Sequence, residues 1–259
     1  MSTEAIAAHA GTRAHRMAGG YNLPSREAMA LISTRTLQRR WRTRVRRWVF
    51  GSHAQYGEDL HIDAILGVER PFYVDVGANH PVELSNTWRF YRRGAHGINI
   101  EPDPSAFPAI VARRPRDINL AIGIGSVAGK LPFHRMSAST LSTFSRKDAE
   151  LYLKDGYRIV ETVQVPVRPL GAVLAEHRPE GPIDFCSIDV EGRELDILAS
   201  NDWTRFRPTL IVLEVNRDEN GLLGAMDDLD YLLVINNGTN GIFLDAGVRR
   251  RTRSSRGAT

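Results

Sequence analysis

Short apolar runs bounded by turn residues or acids recur through the middle of the chain, at residues 72–76, 97–101, 118–122, 183–190 and 209–215. Runs of this length that are apolar almost throughout read as strands covered on both faces. Helical patterns fall between several of them: 82–93, closed by 89–94; a proline-interrupted 104–114; 173–177 before the fourth run; and 194–200 after it. Alternation of this kind predicts a parallel sheet with right-handed crossovers. Two regions depart from the rhythm. Residues 130–136 and 161–168 read as strands flanking a polar segment, 137–156, expected to form a lid or rim. Near the end, 231–235 and 241–244 are joined by Asn236-Asn237-Gly238-Thr239-Asn240, a strong hairpin signal.

Upstream of the first run the pattern changes. Residues 1–24 show no sustained period. Over 25–50, Met29, Leu31, Ile32, Leu37, Trp41, Val45, Trp48 and Val49 recur at three- and four-residue steps with arginines between them, which predicts one or two amphipathic helices. Gln55-Tyr56-Gly57-Glu58-Asp59 then opens a short helix, 60–66. The organisation expected is a basic helical extension over 1–50, an α/β domain over 51–248 with an insertion at about 130–168, and a disordered basic tail over 249–259.

Charge sharpens this division. The formal net charge of +4 over 259 residues hides ten Arg and two Glu in residues 1–50 and five Arg with no acid in 249–259. The remainder holds 19 basic against 28 acidic residues, so the body is acidic and the ends are basic. A general affinity for nucleic acid would therefore rest on the ends alone. The single Cys186 excludes an internal disulfide framework and a multi-cysteine zinc site, and no apolar run is long enough for a membrane span or secretory signal. A cytoplasmic protein is expected, and a homodimer is compatible with the sequence.

The candidate chemistry begins at Val74-Asp75-Val76-Gly77-Ala78-Asn79-His80-Pro81, where the first run ends in a glycine turn, and at Glu101, where the second ends in a carboxylate. Ligands of open α/β sheets bind beyond the carboxyl ends of the strands, and an acid ending the second strand can accept both ribose hydroxyls. A pyrophosphate site needs several glycines, whereas Gly77 stands alone and is followed by Pro81 and Glu83. The expected guest is a nucleoside without phosphates.

Five segments in order, Gln55-x-Gly-Glu-Asp, Val74-Asp-Val-Gly-Ala-Asn, Asn99-Ile-Glu101-Pro, Asn119-Leu-Ala-Ile-Gly and Ile188-Asp-Val-Glu-Gly-x-Glu194, resemble the FkbM-type S-adenosylmethionine-dependent methyltransferases over roughly residues 55–244. The resemblance implies the class I methyltransferase fold, a Rossmann-like, mostly parallel seven-stranded sheet with a C-terminal antiparallel hairpin. It also implies methylation of hydroxyls on sugars or other secondary metabolites. It carries cofactor binding to Gln55, Asp75, Gly77, Asn79, Glu101, Asn119 and Ala121, with Glu101 on the ribose and the 119–123 segment near the adenine. The chain departs from the family's common pattern at His80-Pro81.

Methyl transfer to an alcohol needs the oxygen held in line and its proton removed. His80, beside the cofactor turn, is the first candidate base, histidine being the side-chain type whose charge changes near neutral pH. Asp189 and Glu191, at the end of the fourth strand, are the acidic candidates, and alternation about Val190 would point both to one face. With Glu214 at the end of the fifth strand, Asp189 could hold Mg2+, since some sugar methyltransferases of this fold are metal-dependent. Tyr152 and Tyr157 are candidates for stacking on an acceptor ring. The expected function is O-methylation of a sugar or glycosylated secondary metabolite. The alternatives are a nucleic-acid or other small-molecule methyltransferase, and a non-catalytic cofactor-binding module docked through its basic ends. Paired carboxylates oppose a phosphate backbone and suit a polyol.

Overall fold

Residues 51–248 are described by the structure, a computed structural model. The helical extension expected over 1–50 and the tail over 249–259 lie outside the described residues. The chain runs through α1 (Glu58–Leu66), β1 (Phe72–Val76), α2 (Trp88–Arg92), β2 (His96–Ile100), α3 (Phe107–Arg113), β3 (Ile118–Leu120), β4 (Gly123–Ile124) and β5 (Gly129–Met136). A 3-10 turn, Ser139–Leu141, and α4 (Arg146–Lys154) lead to β6 (Ile159–Arg168), followed by α5 (Leu170–His177), β7 (Phe185–Ile188) and α6 (Glu194–Ala199). The described part closes with β8 (Leu210–Glu214), α7 (Glu219–Asp228), β9 (Tyr231–Asn236) and β10 (Asn240–Asp245).

Seven strands form one sheet in the order β3-β2-β1-β7-β8-β10-β9. The first five pair in parallel, and β10 runs antiparallel to both of its neighbours. This is the mostly parallel sheet with a terminal hairpin that the sequence predicts. Its two faces follow from strand alternation. Tyr73, Phe185, Leu210, Val212 and Ile242 pack on one side with Ile62, Trp88 and Phe90; Val74, Cys186, Ile188, Ile211, Leu213 and Phe243 pack on the other. Covering both faces explains why the strands read as continuous apolar runs. Among the described residues no helix is long and apolar enough to cross a membrane.

The insertion, with β4 just ahead of it, builds a second sheet, β4-β6-β5, with β5 and β6 antiparallel and β4 parallel to β6. Its polar segment contains a helix that the hydrophobic pattern does not signal. Only Ala149 and Tyr152 of α4 are buried, while Ser145 caps it by accepting the Asp148 N–H at 3.2 Å. The other unsignalled helix, α7, hides two glycines; Asp218 caps it through the Gly221 N–H, and Leu222 and Met226 bury one turn apart.

The helix expected over 82–93 is corrected to α2 alone. Residues 81–87 instead wrap around Arg114, whose side chain is almost fully buried. Its Nε donates to the Pro81 carbonyl at 2.8 Å, Nη2 to Ser85 Oγ at 2.9 Å, and both Nη atoms to Thr87 Oγ1 at 3.2 Å. Asp117 lies 3.4 Å from Nη1, and the guanidinium sits 5.1 Å from the ring centres of both Trp88 and Tyr91. Backbone carbonyls and hydroxyls committed to a buried cation leave this stretch outside a helix, and Leu84 takes a left-handed φ of 58°. Removing one partner of a buried ion pair costs about 3–5 kcal/mol. Arg114→Met is therefore expected to lower unfolding stability in urea by about 3–5 kcal/mol, against about 0.5 kcal/mol or less for exposed Arg113→Met.

Candidate active site

A cavity of about 440 Å3 opens beyond the carboxyl ends of β1, β2, β7 and β8. The chain places it there by topology: β2 and β3 step outward on one side of β1, and the chain then returns to lay β7 on the other. Such a reversal leaves a crevice at the strand ends.

At its floor, Gly77 (φ 85°) follows β1, its N–H and that of Ala78 both donating to the Ile100 carbonyl. A Cβ on Gly77 would lie 1.9 Å from the Asp189 carbonyl oxygen, so both backbone conformation and space demand glycine. Asn79, also left-handed, donates its N–H to Glu101 Oε2 at 2.6 Å, and Asp103 donates to Oε1 at 2.7 Å. Burial pushes the Glu101 carboxyl up to about 7, against the opposing pull of these two donors. Gln55 and Tyr56 form another wall. Glu58 accepts the Tyr56 N–H and the side-chain amides of Asn237 and Asn240 at the hairpin turn, and the Gln55 amide donates to the Tyr56 hydroxyl. Ile122, Ile124, Phe133, Leu141 and Phe144 give the cavity an apolar part.

Three expected cofactor residues lie elsewhere. Register pairs Asp75 with Asn99 and Asn99 with Asn119, so the three side chains share one sheet face, that of Tyr73. There Asp75 accepts from Thr87 Oγ1 at 2.7 Å, and Asn119 bonds Asn99 and the Arg114 carbonyl. Neither lines the cavity, and Ala121 is exposed outside it, while its neighbours Ile122 and Gly123 line it. His80 also stands apart from the cavity. It is exposed, does not line the cavity, and its Nδ1 accepts the N–H groups of Val82 and Glu83 at 3.1 and 2.8 Å, which commits that nitrogen to shaping the turn.

Acids gather at the opposite part of the cavity. Asp189, Glu191 and Glu214 each offer a carboxylate oxygen within 4.8 Å of the others. The strand ends at Ile188, so Asp189 and Glu191 do not share a strand face as expected; they meet because the chain turns at Glu191 (φ 55°) and Gly192 (φ 102°). Glu194 opens α6 and reaches back to accept the N–H of Gly192 at 3.2 Å. Asp189 is walled by protein while its surface opens into the cavity, and burial, then the nearby Glu214, Glu191 and Glu194, raise its carboxyl well above the usual range. Burial and the same acidic neighbours push Glu214 up to about 7. Glu214 Oε1 accepts from Asn216, whereas buried Oε2 has no hydrogen-bond partner. Glu191 is engaged by the Tyr152 hydroxyl at 2.5 Å and by Arg217. Tyr152 is thus a partner of the acids rather than a stacking platform, and Tyr157 is exposed.

These residues fit S-adenosylmethionine. Each Glu101 oxygen takes one backbone donor, leaving lone pairs for a ribose diol, and the carboxylates suit a sulfonium cation. The three-carboxylate donor set also has the chemistry of a hard cation site, with Arg217 already among it. Arg217, Glu58 and the role of Tyr152 are beyond sequence reasoning; only Glu58 carried a signal, inside the Gln55-x-Gly-Glu-Asp segment.

The family sequence model described as Methyltransferase FkbM domain matches residues 75–237. A comparison with curated protein sequences finds no match. Among solved structures, the chain is similar to a TehB-like SAM-dependent methyltransferase from Corynebacterium glutamicum (13% identity, 80% of this chain and 96% of that one, TM-score 0.36). It is also similar to 1,6-didemethyltoxoflavin-N1-methyltransferase from Burkholderia thailandensis (12%, 87% and 91%, 0.38) and to an O-methyltransferase from Bacillus cereus in complex with SAH (9%, 86% and 90%, 0.34).

A ribose diol seated at Glu101 would donate to the ionised carboxylate, so protons would compete with it. Affinity for S-adenosylhomocysteine, followed by calorimetry, is expected to fall as pH drops through about 7 and to level off above it. Glu101→Gln should lose about 10–100-fold in affinity and flatten the pH dependence. Unchanged affinity in the variant would remove Glu101 from cofactor binding.

Proposed function

The chain belongs to the FkbM methyltransferase family and is an S-adenosylmethionine-dependent methyltransferase; from that premise we propose that its acceptor is a hydroxyl of a sugar or glycosylated secondary metabolite. The observation that carries this reading is the convergence of Asp189, Glu191 and Glu214 beside the glycine turn. When bound, S-adenosylmethionine supplies an electrophilic methyl group on a sulfonium sulfur. The protein's own residues then have two tasks. Glu101, Gly77 and Asn79 seat the nucleoside end, with glycine allowing backbone contact and the carboxylate reading the ribose. The acids bind and deprotonate the acceptor.

A sugar hydroxyl is a weak acid, so a base is needed, and carboxyls raised toward neutrality suit that work better than ordinary ones. Asp189 and Glu214 repel one another, which favours one proton between them near neutral pH. The ionised member accepts the acceptor's proton and the protonated one donates to a neighbouring hydroxyl. His80 has no part in this step. The same carboxylates disfavour a polyphosphate acceptor such as nucleic acid.

Labelled S-adenosylmethionine offered with a panel of deoxysugar and amino-sugar glycosides tests the proposal. Label is expected on a hydroxyl oxygen, with turnover rising as pH rises through about 7, where Glu214 ionises. Asp189→Asn and Glu214→Gln should each lower kcat by about 10²–10⁴-fold while S-adenosylhomocysteine binds within a few-fold of wild type. Label found only on nitrogen, or wild-type turnover in both variants, would overturn it.

A further inference from the structure

Arg217 follows the end of β8 in a loop, yet its guanidinium makes contacts in three directions. Nη1 donates to Asp148 Oδ1 of α4 at 3.1 Å, Nη2 donates to the Tyr152 hydroxyl and to Glu191 Oε2, and Nε lies 3.9 Å from Glu214 Oε2. The guanidinium carbon also sits 5.3 Å from the centre of the Tyr152 ring. Two of these partners, Asp148 and Tyr152, belong to the insertion, and two, Glu191 and Glu214, belong to the acidic cluster. The same insertion holds the Glu191 backbone in its left-handed turn, because Thr143 Oγ1 donates to the Glu191 carbonyl at 3.0 Å.

Resting on the carboxylate reading above, we propose that Arg217 is the positioning residue of the acidic cluster, a resident cation that takes the place a divalent metal ion would hold and is itself fixed there by α4 of the insertion. Three carboxylates within 4.8 Å of one another repel, and even with one proton shared between Asp189 and Glu214 a nearby cation favours their assembly. A metal ion would supply it by binding Glu191 and Glu214 directly, and the guanidinium already sits against both. The planar fork differs from a metal in one respect that matters here. It engages Glu191 firmly and Glu214 only at its edge, leaving Glu214 Oε2 without a hydrogen bond. Glu191 is therefore an anchor, also clamped by the Tyr152 hydroxyl, while Asp189 and Glu214 are left to face the acceptor. The division of labour follows from geometry: the acid nearest the insertion holds Arg217, and the two at the strand ends do the chemistry. It also makes docking of the insertion a condition for an ordered cluster.

Mn2+ binding to the full chain, read by loss of the free-ion electron paramagnetic resonance signal, separates this role from a merely structural one, since loss of a structural residue would not create a cation site. Wild type is expected to bind Mn2+ weakly or not at all. Arg217→Gln should bind it at least about tenfold tighter, and adding Glu191→Gln should abolish the gain, whereas Arg217→Lys keeps the charge and should exclude Mn2+. S-adenosylhomocysteine affinity measured in parallel reports that the fold persists. Should Arg217→Gln fail to fold, Tyr152→Phe, which loosens the guanidinium, is expected to show a smaller gain in the same assay. Wild-type Mn2+ binding as tight as that of the variant, or no gain in any folded variant, overturns the proposal. Failure of the carboxylate reading appears separately, as normal turnover in Asp189→Asn and Glu214→Gln.

Discussion

The site exists because the backbone after β1 passes within contact of the backbone after β7. Gly77 and the Asp189 carbonyl meet so closely that no side chain can stand between them, and the Asp189 N–H in turn donates to the Val76 carbonyl at 3.0 Å. This one approach joins the glycine turn after β1 to the loop that carries the acids. Everything upstream serves it: the parallel pairing of β1 with β7 aligns the strand ends, and the chain reversal at that pair opens the crevice above them. Everything downstream inherits it, since Glu191 and Glu214 can converge on Asp189 only where the crevice already lies.

The protein handles clustered charge in two opposite ways a short distance apart. Beneath the glycine turn, Asp75, Asp117 and Tyr73 surround Arg114, and Asp117 alone accepts from the Tyr73 hydroxyl, the Gly97 N–H and the Asn99 amide. Nearly every polar atom of this network has a partner, Asn99 Oδ1 being the exception, and a network so densely paired is rigid. Beyond the strand ends, Asp189 and Glu214 are crowded by like charge and incompletely paired. Unpaired acids cost stability in the folded state and are found where reactivity requires them. The first network supports the loop at 81–87; the second faces the cavity and is the surface to which the proposed chemistry is assigned.

The strands, the hairpin and the order of elements were legible because each rests on local chemistry: apolar runs, an Asn-Gly turn, acids and glycines at strand ends. Asp75 and Asn119 show where that legibility stops. They stand in segments that resemble a cofactor fingerprint, but strand register turns their side chains to the face that holds Arg114. His80 illustrates the same limit, since proximity in sequence to the turn does not give proximity to the cavity. Arg217 could not be read at all; it is one arginine among many, and only the packing of α4 against the strand-end loops gives it partners. Helices α4 and α7 escaped notice for a related reason, being held by a cap and two buried residues each rather than by a wide apolar stripe.

Glu58 has a consequence for how the molecule comes together. Its carboxylate, which accepts the N–H of Tyr56 at the cavity wall, is held by amides 179 and 182 residues further along the chain, in the hairpin of β9 and β10. Contacts of such long range are completed late in folding, after the loops between them have closed. A chain emerging from the ribosome can form β1, its glycine turn and β2 long before Asn237 and Asn240 exist. The bonds that tie Glu58 to the hairpin can form only once the hairpin is in place, so this wall of the cavity depends on the end of the domain.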